Sequence, residues 1–353
     1  MRRALTGIAV LMILCLCCTG CTGAPQERKT ENTRVFTDGL GREVNLPETV
    51  EKVAVTGPMA QIFVYTLCPE KLVGFSTAYS DEAERYIPEK YLLLPELGQL
   101  YGGKGTVNTE SLLSAAPDIV VDVGQSKSGQ AEELDRLSGL TGIPFVYIEA
   151  DVLSSAEAYR QLGETLCCPE AAEQRAALCE KAKEAALNAA AAAQEAGQRK
   201  RVLYCLGPEG TNVLARGSYH AQVIDLLAEN AAAVEAPVSG GDGNTADMEQ
   251  ILLWDPDVIL FSRGSIRSRV NEKPVWQSLR AVQNGQVYEV PGGPYGWISS
   301  PPASQCYLGM LWLADVLYPE YVQYDLYTEA AEFYRVFFDY EMTRSEFDAM
   351  TEK

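Results

Sequence analysis

Short apolar runs alternate with longer amphipathic stretches along the chain from Val53 onward. The apolar runs are rich in β-branched residues and predict buried strands, whereas the stretches between them have helical periodicity. The predicted strands are Val53–Thr56, Leu72–Phe75, Ile119–Val123, Phe145–Ile148, Arg201–Leu206, Val258–Phe261 and Gln286–Val290. The predicted helices among them are Pro58–Thr66, Thr109–Ala115, Gln130–Leu140, Tyr219–Glu229 and Asp247–Leu253. Such alternation predicts parallel sheets covered by helices on both faces.

One pattern occurs twice. The segment from Glu110 to Pro117-Asp118 parallels the segment from Glu249 to Pro256-Asp257, and both its Glu and its Pro recur after 139 residues. Each copy reads as a short helix that ends before Pro, which cannot donate a backbone hydrogen bond, followed by a buried strand. The repeat predicts two lobes of similar construction.

A long helix is predicted between the lobes. Pro169 suits a first helical turn, an alanine-rich stretch follows, and Gly197 ends the pattern. The predicted organisation is an N-terminal lobe over 35–168, a connecting helix over 169–197 and a C-terminal lobe with a helical tail over 198–353. The fold class is therefore α/β, with two Rossmann-like lobes that contain parallel sheets, joined by one long α-helix, and a ligand cleft between them.

The N-terminus resembles a bacterial lipoprotein signal. Arg2 and Arg3 precede an apolar run that is short for a transmembrane helix, and small residues precede Cys21. We therefore predict a signal peptide over 1–20, diacylglycerol on Cys21 and a polar tether over 21–34. An ordinary secretory signal or an N-terminal membrane anchor is the alternative.

Composition excludes several classes of function. The chain is 47% hydrophobic and 22% charged, as in globular proteins, and its net charge of −19 argues against nucleic-acid binding. Removal of residues 1–20, which contain two Arg and no acidic residue, makes the charge −21. A single histidine, His220, excludes His-rich metal clusters. No nucleophile–base pair or phosphate-binding loop is evident, so we predict that the protein is not an enzyme.

Six cysteines remain beyond Cys21. An even number in an exported chain permits disulfides. Three of them lie in apolar helical patterns and none forms a CxxC pair, so we favour buried free thiols. The six are Cys68, Cys167, Cys168, Cys179, Cys205 and Cys306.

Residues 35–319 resemble the helical-backbone solute-binding proteins of ABC importers, the class of ferric-siderophore, haem and cobalamin receptors. The first hairpin over 37–47 and Leu97-Gly98 leading to Glu110 and Pro117-Asp118 are similar to the family's N-terminal signature. Trp276–Leu279 with Ala281–Tyr288 is similar to its C-terminal ending. The order and spacing of these motifs carry the resemblance.

The resemblance implies a lipid-anchored, extracytoplasmic binding protein that acts as a monomer and needs no cofactor. It would capture a metal chelate and deliver it to an ABC permease dimer with its ATPase subunits. An oxyanion such as molybdate or tungstate is an alternative cargo on the same fold. A nitrogenase-like enzyme that holds a metal cluster is the alternative of another class.

Candidate ligand contacts lie in the loops that follow the strands, where parallel sheets bind ligands. Aromatic and Arg side chains there suit a flat or anionic chelate. The candidates are Tyr101, Arg216, Arg263, Tyr295 and Trp297, and ordinary loop packing is the alternative for each. His220 reads as a first-turn helix residue, with axial ligation of haem or corrinoid as the alternative.

Glu110 and Glu249 occupy equivalent positions of the repeat. A lone Glu in a first helical turn usually serves only the helix dipole. The resemblance implies more, because members of the family use one such Glu per lobe to contact Arg pockets of the permease subunits. We expect both side chains to be exposed on the rim of the cleft.

Overall fold

The computed structural model describes residues 32–100 and 108–352. The strands are β1 Thr33–Thr37, β2 Glu43–Pro47, β3 Val53–Val55, β4 Ile119–Gly124, β5 Phe145–Glu149, β6 Arg201–Leu206, β7 Asn212–Val213, β8 Glu229–Asn230, β9 Asn244–Thr245, β10 Val258–Phe261 and β11 Val287–Glu289. The helices are α1 Pro58–Leu67, α2 Glu89–Leu92, α3 Thr109–Ala115, α4 Gln130–Thr141, α5 Ser155–Thr165, α6 Pro169–Glu195, α7 Gln222–Leu227, α8 Met248–Trp254, α9 Pro274–Gln277, α10 Arg280–Gln283, α11 Cys306–Leu317, α12 Leu326–Phe338 and α13 Arg344–Met350. We keep the names N-terminal lobe for 35–168 and C-terminal lobe for 198–353.

The N-terminal lobe contains a three-stranded parallel sheet in the order β3-β4-β5, preceded by the antiparallel hairpin β1-β2. The predicted strand Leu72–Phe75 is wrong. Leu72 makes one bridge to Val53, and Phe75 then pairs with Glu96 instead. The segment turns away at Gly74, whose Cα lies so close to Leu97 that a Cβ there would come within 2.6 Å of that side chain.

The C-terminal lobe contains the order β11-β10-β6-β7-β9, with β8 also paired to β6. The strands β6, β8, β10 and β11 run parallel, and β7 and β9 are antiparallel additions. The helix predicted over Tyr219–Glu229 is shorter than expected. A single 3₁₀ turn precedes α7, and the chain enters β8 at Glu229.

The connecting helix α6 spans 27 residues, as the sequence predicted. One face consists of small buried side chains at helical spacing, which lets α5 and α11 pack closely against it. These are Ala172, Ala176, Cys179, Ala182, Ala186, Ala189, Ala190 and Ala193. At 1.5 Å per residue the helix is about 40 Å long, enough to run past both lobes.

The repeated Pro-Asp performs the same structural task in both lobes. The Asp118 carboxylate accepts a hydrogen bond from the Lys52 amide at 2.8 Å, and the Asp257 carboxylate accepts one from the Arg201 amide at 2.9 Å. In both cases the Asp amide donates back to the carbonyl of the same residue at 2.9 Å. Each Asp therefore fixes the start of its own strand against the start of the neighbouring strand.

The C-terminal tail crosses back onto the N-terminal lobe. Tyr86 lies between the rings of Tyr334 and Tyr340, at centroid distances of 5.4 and 4.9 Å. The Arg85 guanidinium donates to the Glu346 carboxylate and to the Tyr340 hydroxyl. Hydrogen bonds from Tyr340 and Thr343, with Arg85 nearby, hold the pKa of Glu346 at about 2. The Glu346 carboxylate therefore stays ionised at neutral and mildly acidic pH. The tail is a second link between the lobes, in addition to α6.

Within the described ranges, every helix is too short or too polar to cross a lipid bilayer.

We expect ring packing, rather than the ion pair, to hold the tail in place. The Tyr86 ring is 4% exposed, so Tyr86→Ala should lower the free energy of unfolding by about 3–5 kcal/mol. Arg85 is half-exposed, so Arg85→Ala should cost under about 1 kcal/mol. Urea denaturation measures both, and Arg136→Ala, which breaks an exposed pair within α4, is the control. Equal losses for the two variants would mean that the ion pair holds the tail.

Candidate functional site

The loops after the strands of both lobes meet between the two sheets. The Tyr219 hydroxyl donates to the Ala150 carbonyl just beyond β5 and lies 3.3 Å from the Met59 sulfur at the start of α1. The Gln222 side chain accepts from the Val152 amide at 3.1 Å and donates to Asp151 at 3.2 Å. These polar contacts place the carboxyl ends of the N-terminal strands opposite the start of α7, where a cleft was predicted.

His220 is fixed at this junction. Its Nδ1 lies 2.7 Å from the Ser299 hydroxyl, and Gly241 closes over the ring, where a Cβ would come within 3.2 Å of Cε1. Burial lowers the pKa of His220, with Asp242 opposing, so the imidazole is neutral at pH 7. No described residue bonds to Nε2. A neutral ring with one nitrogen held by a hydroxyl keeps the other nitrogen oriented for a ligand.

Two of the predicted ligand contacts already have partners within the protein. Trp297 is fully buried, and its indole donates to the Tyr334 hydroxyl at 3.2 Å, so it packs the core under the tail. The Arg216 guanidinium donates to the Asn230 carbonyl at 3.0 Å and lies 3.6 Å from Glu229. Glu229 pairs with Arg201, the first residue of β6, and therefore marks the amino-terminal edge of the sheet. Because Arg216 lies beside Glu229, its guanidinium is at the edge of the sheet opposite the cleft.

Arg263 bridges the lobes instead of standing free. It donates to both carboxylate oxygens of Glu82, at 2.5 and 2.6 Å, and to the Gly292 carbonyl at 3.1 Å. A surface cavity of about 510 Å³ lies beside it. Three arginines and four glutamates line this cavity, so it offers no net positive charge to an anion. They are Arg85, Arg263, Arg267, Glu82, Glu289, Glu346 and Glu352.

Tyr295 is half-buried where the lobes meet. Its ring lies 6.5 Å from that of Phe338, and burial beside Tyr79 and Tyr65 raises the pKa of its hydroxyl well above 10. A ligand contact for Tyr295 stays a prediction. Tyr101 and Cys21 lie outside the described residues.

A buried carboxylate at the cleft edge of the N-terminal sheet was not anticipated. Asp122 on β4 is 6% exposed and accepts hydrogen bonds from the Thr56 hydroxyl at 2.5 Å and the Gln130 amide at 2.7 Å. Burial raises the pKa of Asp122, against these hydrogen bonds. The trio ties the loop after β3 to the start of α4. Its sequence signal is the single acidic residue inside the apolar run Ile119–Val123.

Glu110 and Glu249 occupy matching places in twin helices. Asn108 caps α3 by accepting from the Ser111 amide at 3.0 Å, and Asp247 caps α8 by accepting from the Gln250 amide at 2.7 Å. Both helices end in a left-handed residue before Pro. Both Glu side chains are exposed, and no described residue forms an ion pair with either. Each helix leads into the amino end of the following strand. Its last turn is therefore near the amino-terminal edge of the sheet, and its first turn, which carries the Glu, points toward the carboxyl-terminal edge.

We expect Asp122→Ala to lower the free energy of unfolding by about 1–3 kcal/mol, because the Thr56 hydroxyl and the Gln130 amide would stay buried without a partner. Chemical denaturation measures the loss. The control is Asp135→Ala, which removes an exposed carboxylate of α4 that pairs with Arg42. A cost no larger than that of the control would mean that the buried trio contributes nothing to stability.

The comparison with known proteins places the chain in a family. The model of the family described as periplasmic binding protein matches residues 53–293. The uncharacterized ABC transporter substrate-binding lipoprotein YvrC of Bacillus subtilis is 23% identical in an alignment of 298 residues that covers 80% of this chain and 89% of that protein.

Solved structures show the same fold. An ABC transporter solute binding protein from Sulfurospirillum deleyianum is 25% identical, with a TM-score of 0.80 over 90% of this chain and 98% of that one. The molybdate-bound periplasmic binding protein MolA of Haemophilus influenzae is 20% identical, with a TM-score of 0.70 over 88% of this chain and 99% of that one. These matches confirm the α/β fold and the family resemblance drawn from the sequence motifs. The chain belongs to the periplasmic binding protein family and is an ABC transporter substrate-binding protein.

Proposed function

We propose that this substrate-binding protein is lipid-anchored through Cys21 and captures a metal chelate with an open coordination position, which His220 completes. It would then deliver the chelate to the permease without chemical change. The observation that carries the proposal is the neutral imidazole of His220, fixed by Ser299 and closed over by Gly241 at the lobe junction.

A single imidazole favours a chelate over a bare ion. Bare transition-metal ions are bound by several protein ligands, whereas haem and corrinoids bring four equatorial nitrogens and need only an axial one. The chain contains one histidine, which matches this demand. Arg216 lies near Glu229 and Arg263 is paired with Glu82, so neither arginine offers a free positive charge to a cargo. The site therefore does not require a strongly anionic chelate.

An oxyanion is the second candidate cargo. The similarity to molybdate-bound MolA supports it, as does the pair Ser299-Ser300, in which Ser300 is exposed. Oxyanions are held by convergent backbone amides and hydroxyls. Neither of the two arginines predicted for the cleft contributes a free positive charge, so we place this candidate second.

We predict that His220→Ala weakens binding of haemin or aquocobalamin by tenfold or more, because the axial bond is lost. Equilibrium titration measures affinity, and the absorption spectrum shows the change of axial ligand. Ser299→Ala should weaken binding less, since it removes only the group that orients the ring.

Two other probes separate the alternatives. A hexadentate ferric catecholate, whose metal has no open position, should bind the parent and His220→Ala within twofold of each other. Unchanged haemin and aquocobalamin affinity in His220→Ala contradicts the axial role. Tight molybdate binding, with no binding of either macrocycle, replaces the chelate with the oxyanion.

We further propose that Glu110 and Glu249 dock the protein on its permease. Two equivalent exposed carboxylates, one per lobe and without a described ionic partner, suit two equivalent Arg pockets of a permease dimer. Truncation of one partner of a desolvated charge pair costs about 2–5 kcal/mol.

We expect the double variant Glu110→Ala/Glu249→Ala to lose at least nine-tenths of cargo uptake, while cargo affinity stays within about twofold. Uptake into vesicles that contain the permease, measured beside direct binding, tests this. The matched control is Glu170→Ala, an exposed first-turn glutamate of α6. Normal import by the double variant, or a loss of cargo binding, would overturn the docking role.

A further inference from the structure

Two cysteines that are 100 residues apart in sequence meet where α1 ends and α6 begins. Cys68 is the C-terminal cap of α1, and Cys168 is the residue immediately before Pro169 at the start of α6. Both thiols are free in the structure, and they lie close enough for Cys68 to lower the pKa of Cys168 through a hydrogen bond. The two sulfurs are therefore neighbours.

Contacts that do not involve sulfur hold the two segments together. Before Cys68, the Thr66 carbonyl accepts from Arg175 of α6 at 3.0 Å. After Cys68, the Lys71 ammonium donates to the Leu166 carbonyl at 2.8 Å and to the Val50 carbonyl at 2.7 Å. Since Thr66 and Lys71 flank Cys68, and Leu166 and Arg175 flank Cys168, these contacts hold together the two segments that carry the thiols.

The two thiols differ in accessibility and acidity. Cys68 is 2% exposed, whereas Cys168 is partly exposed. Cys168 lies at the N-terminus of a 27-residue helix, whose dipole stabilises a thiolate. The hydrogen bond from Cys68 lowers the pKa of Cys168, with Lys71 and Arg175 contributing and burial opposing. Cys168 is thus the attacking sulfur and Cys68 the buried resolving sulfur.

We propose that Cys68 and Cys168 form an intramolecular disulfide when the protein meets an oxidising disulfide, such as glutathione disulfide or a thiol–disulfide oxidoreductase. The Cys168 thiolate attacks one sulfur of the oxidant, which gives a mixed disulfide and releases the first thiol. Cys68 then loses its proton to solvent and attacks the Cys168 sulfur, which releases the second thiol. In all, two electrons pass to the oxidant, and its two released thiolates take up from solvent the two protons that the protein thiols gave to it.

The bond would tie the N-terminal lobe to the connecting helix. It would close a loop of about 100 residues, and cross-links over long loops restrict the unfolded chain the most. The sequence alone favoured free thiols for all six cysteines. All six are free in the structure, and the proposal adds an oxidised form for this pair, independently of the cargo.

Cys167 provides the matched control. It precedes Cys168 directly and is exposed. Its sulfur has a different partner, the Glu48 carbonyl at 3.5 Å. Trypsin leaves Cys167 and Cys168 on one peptide, so a cross-link to the Cys68 peptide does not by itself identify the sulfur. Cys167→Ser resolves this.

The experiment uses the chain from residue 21 onward with Cys21→Ser, equilibrated with glutathione disulfide. We expect four alkylatable thiols after denaturation instead of six, and a tryptic link between the peptides that contain Cys68 and Cys168. Dithiothreitol should lower the melting temperature by about 5 °C or more. Cys167→Ser should behave in the same way.

Cys168→Ser and Cys68→Ala should both abolish the link and the effect of dithiothreitol. For each variant, the melting temperature is compared with and without dithiothreitol. A change in stability that comes from the substitution itself therefore cannot be mistaken for loss of the disulfide. Six free thiols in the oxidised parent would overturn the proposal. So would a Cys167–Cys168 disulfide, a link that survives Cys168→Ser or one that disappears in Cys167→Ser.

Discussion

Close packing against the alanine face of α6 is the constraint on which the rest of the structure depends. The buried side chains of that face are almost all single methyl groups, so α5 and α11 approach its backbone closely along its length. A larger side chain at Ala176 or Ala186, both 0% exposed, would push these helices apart. Because α5 belongs to the N-terminal lobe and α11 to the C-terminal lobe, this one helix fixes the position of each.

The tail adds a second link between the lobes. Tyr86 of the N-terminal lobe packs against Tyr334 and Tyr340, and the Tyr334 hydroxyl donates to the Gly293 carbonyl of the C-terminal lobe. A continuous helix resists bending because bending breaks its backbone hydrogen bonds, and the tail resists separation of the lobes at another point. We therefore expect cargo entry to involve loop movement and small rotations rather than a wide hinge opening.

Charge is distributed so that the lobe junction contains little free positive potential. The chain carries a net charge of −19, and two of its arginines near the strand ends are balanced by Glu229 and Glu82. The junction offers instead a neutral imidazole, hydroxyls and a buried carboxylate at Asp122. Such groups act through coordination and hydrogen bonding more than through long-range attraction, which is why the cargo question turns on His220.

The sequence by itself determined the α/β class, the long helix and the family, because these depend on local signals. Apolar runs identify strands, Pro and Gly delimit helices, and the Pro-Asp repeat recurs because the same hydrogen bonds start β4 and β10. The twin positions of Glu110 and Glu249 follow from that repeat. The sequence also marked the loops after the strands as the place to look for a ligand.

Only the tertiary structure decided which loop residues face the cleft. Trp297, Arg216 and Arg263 have the residue types that a chelate site uses, and only the fold shows that Trp297 is buried under the tail, that Arg216 lies at the far edge of the sheet and that Arg263 is paired with Glu82. His220 and Ser299, and likewise Cys68 and Cys168, are brought together from 79 and 100 positions apart. Side-chain direction and long-range partners are set by packing between elements, which no local pattern of the chain encodes.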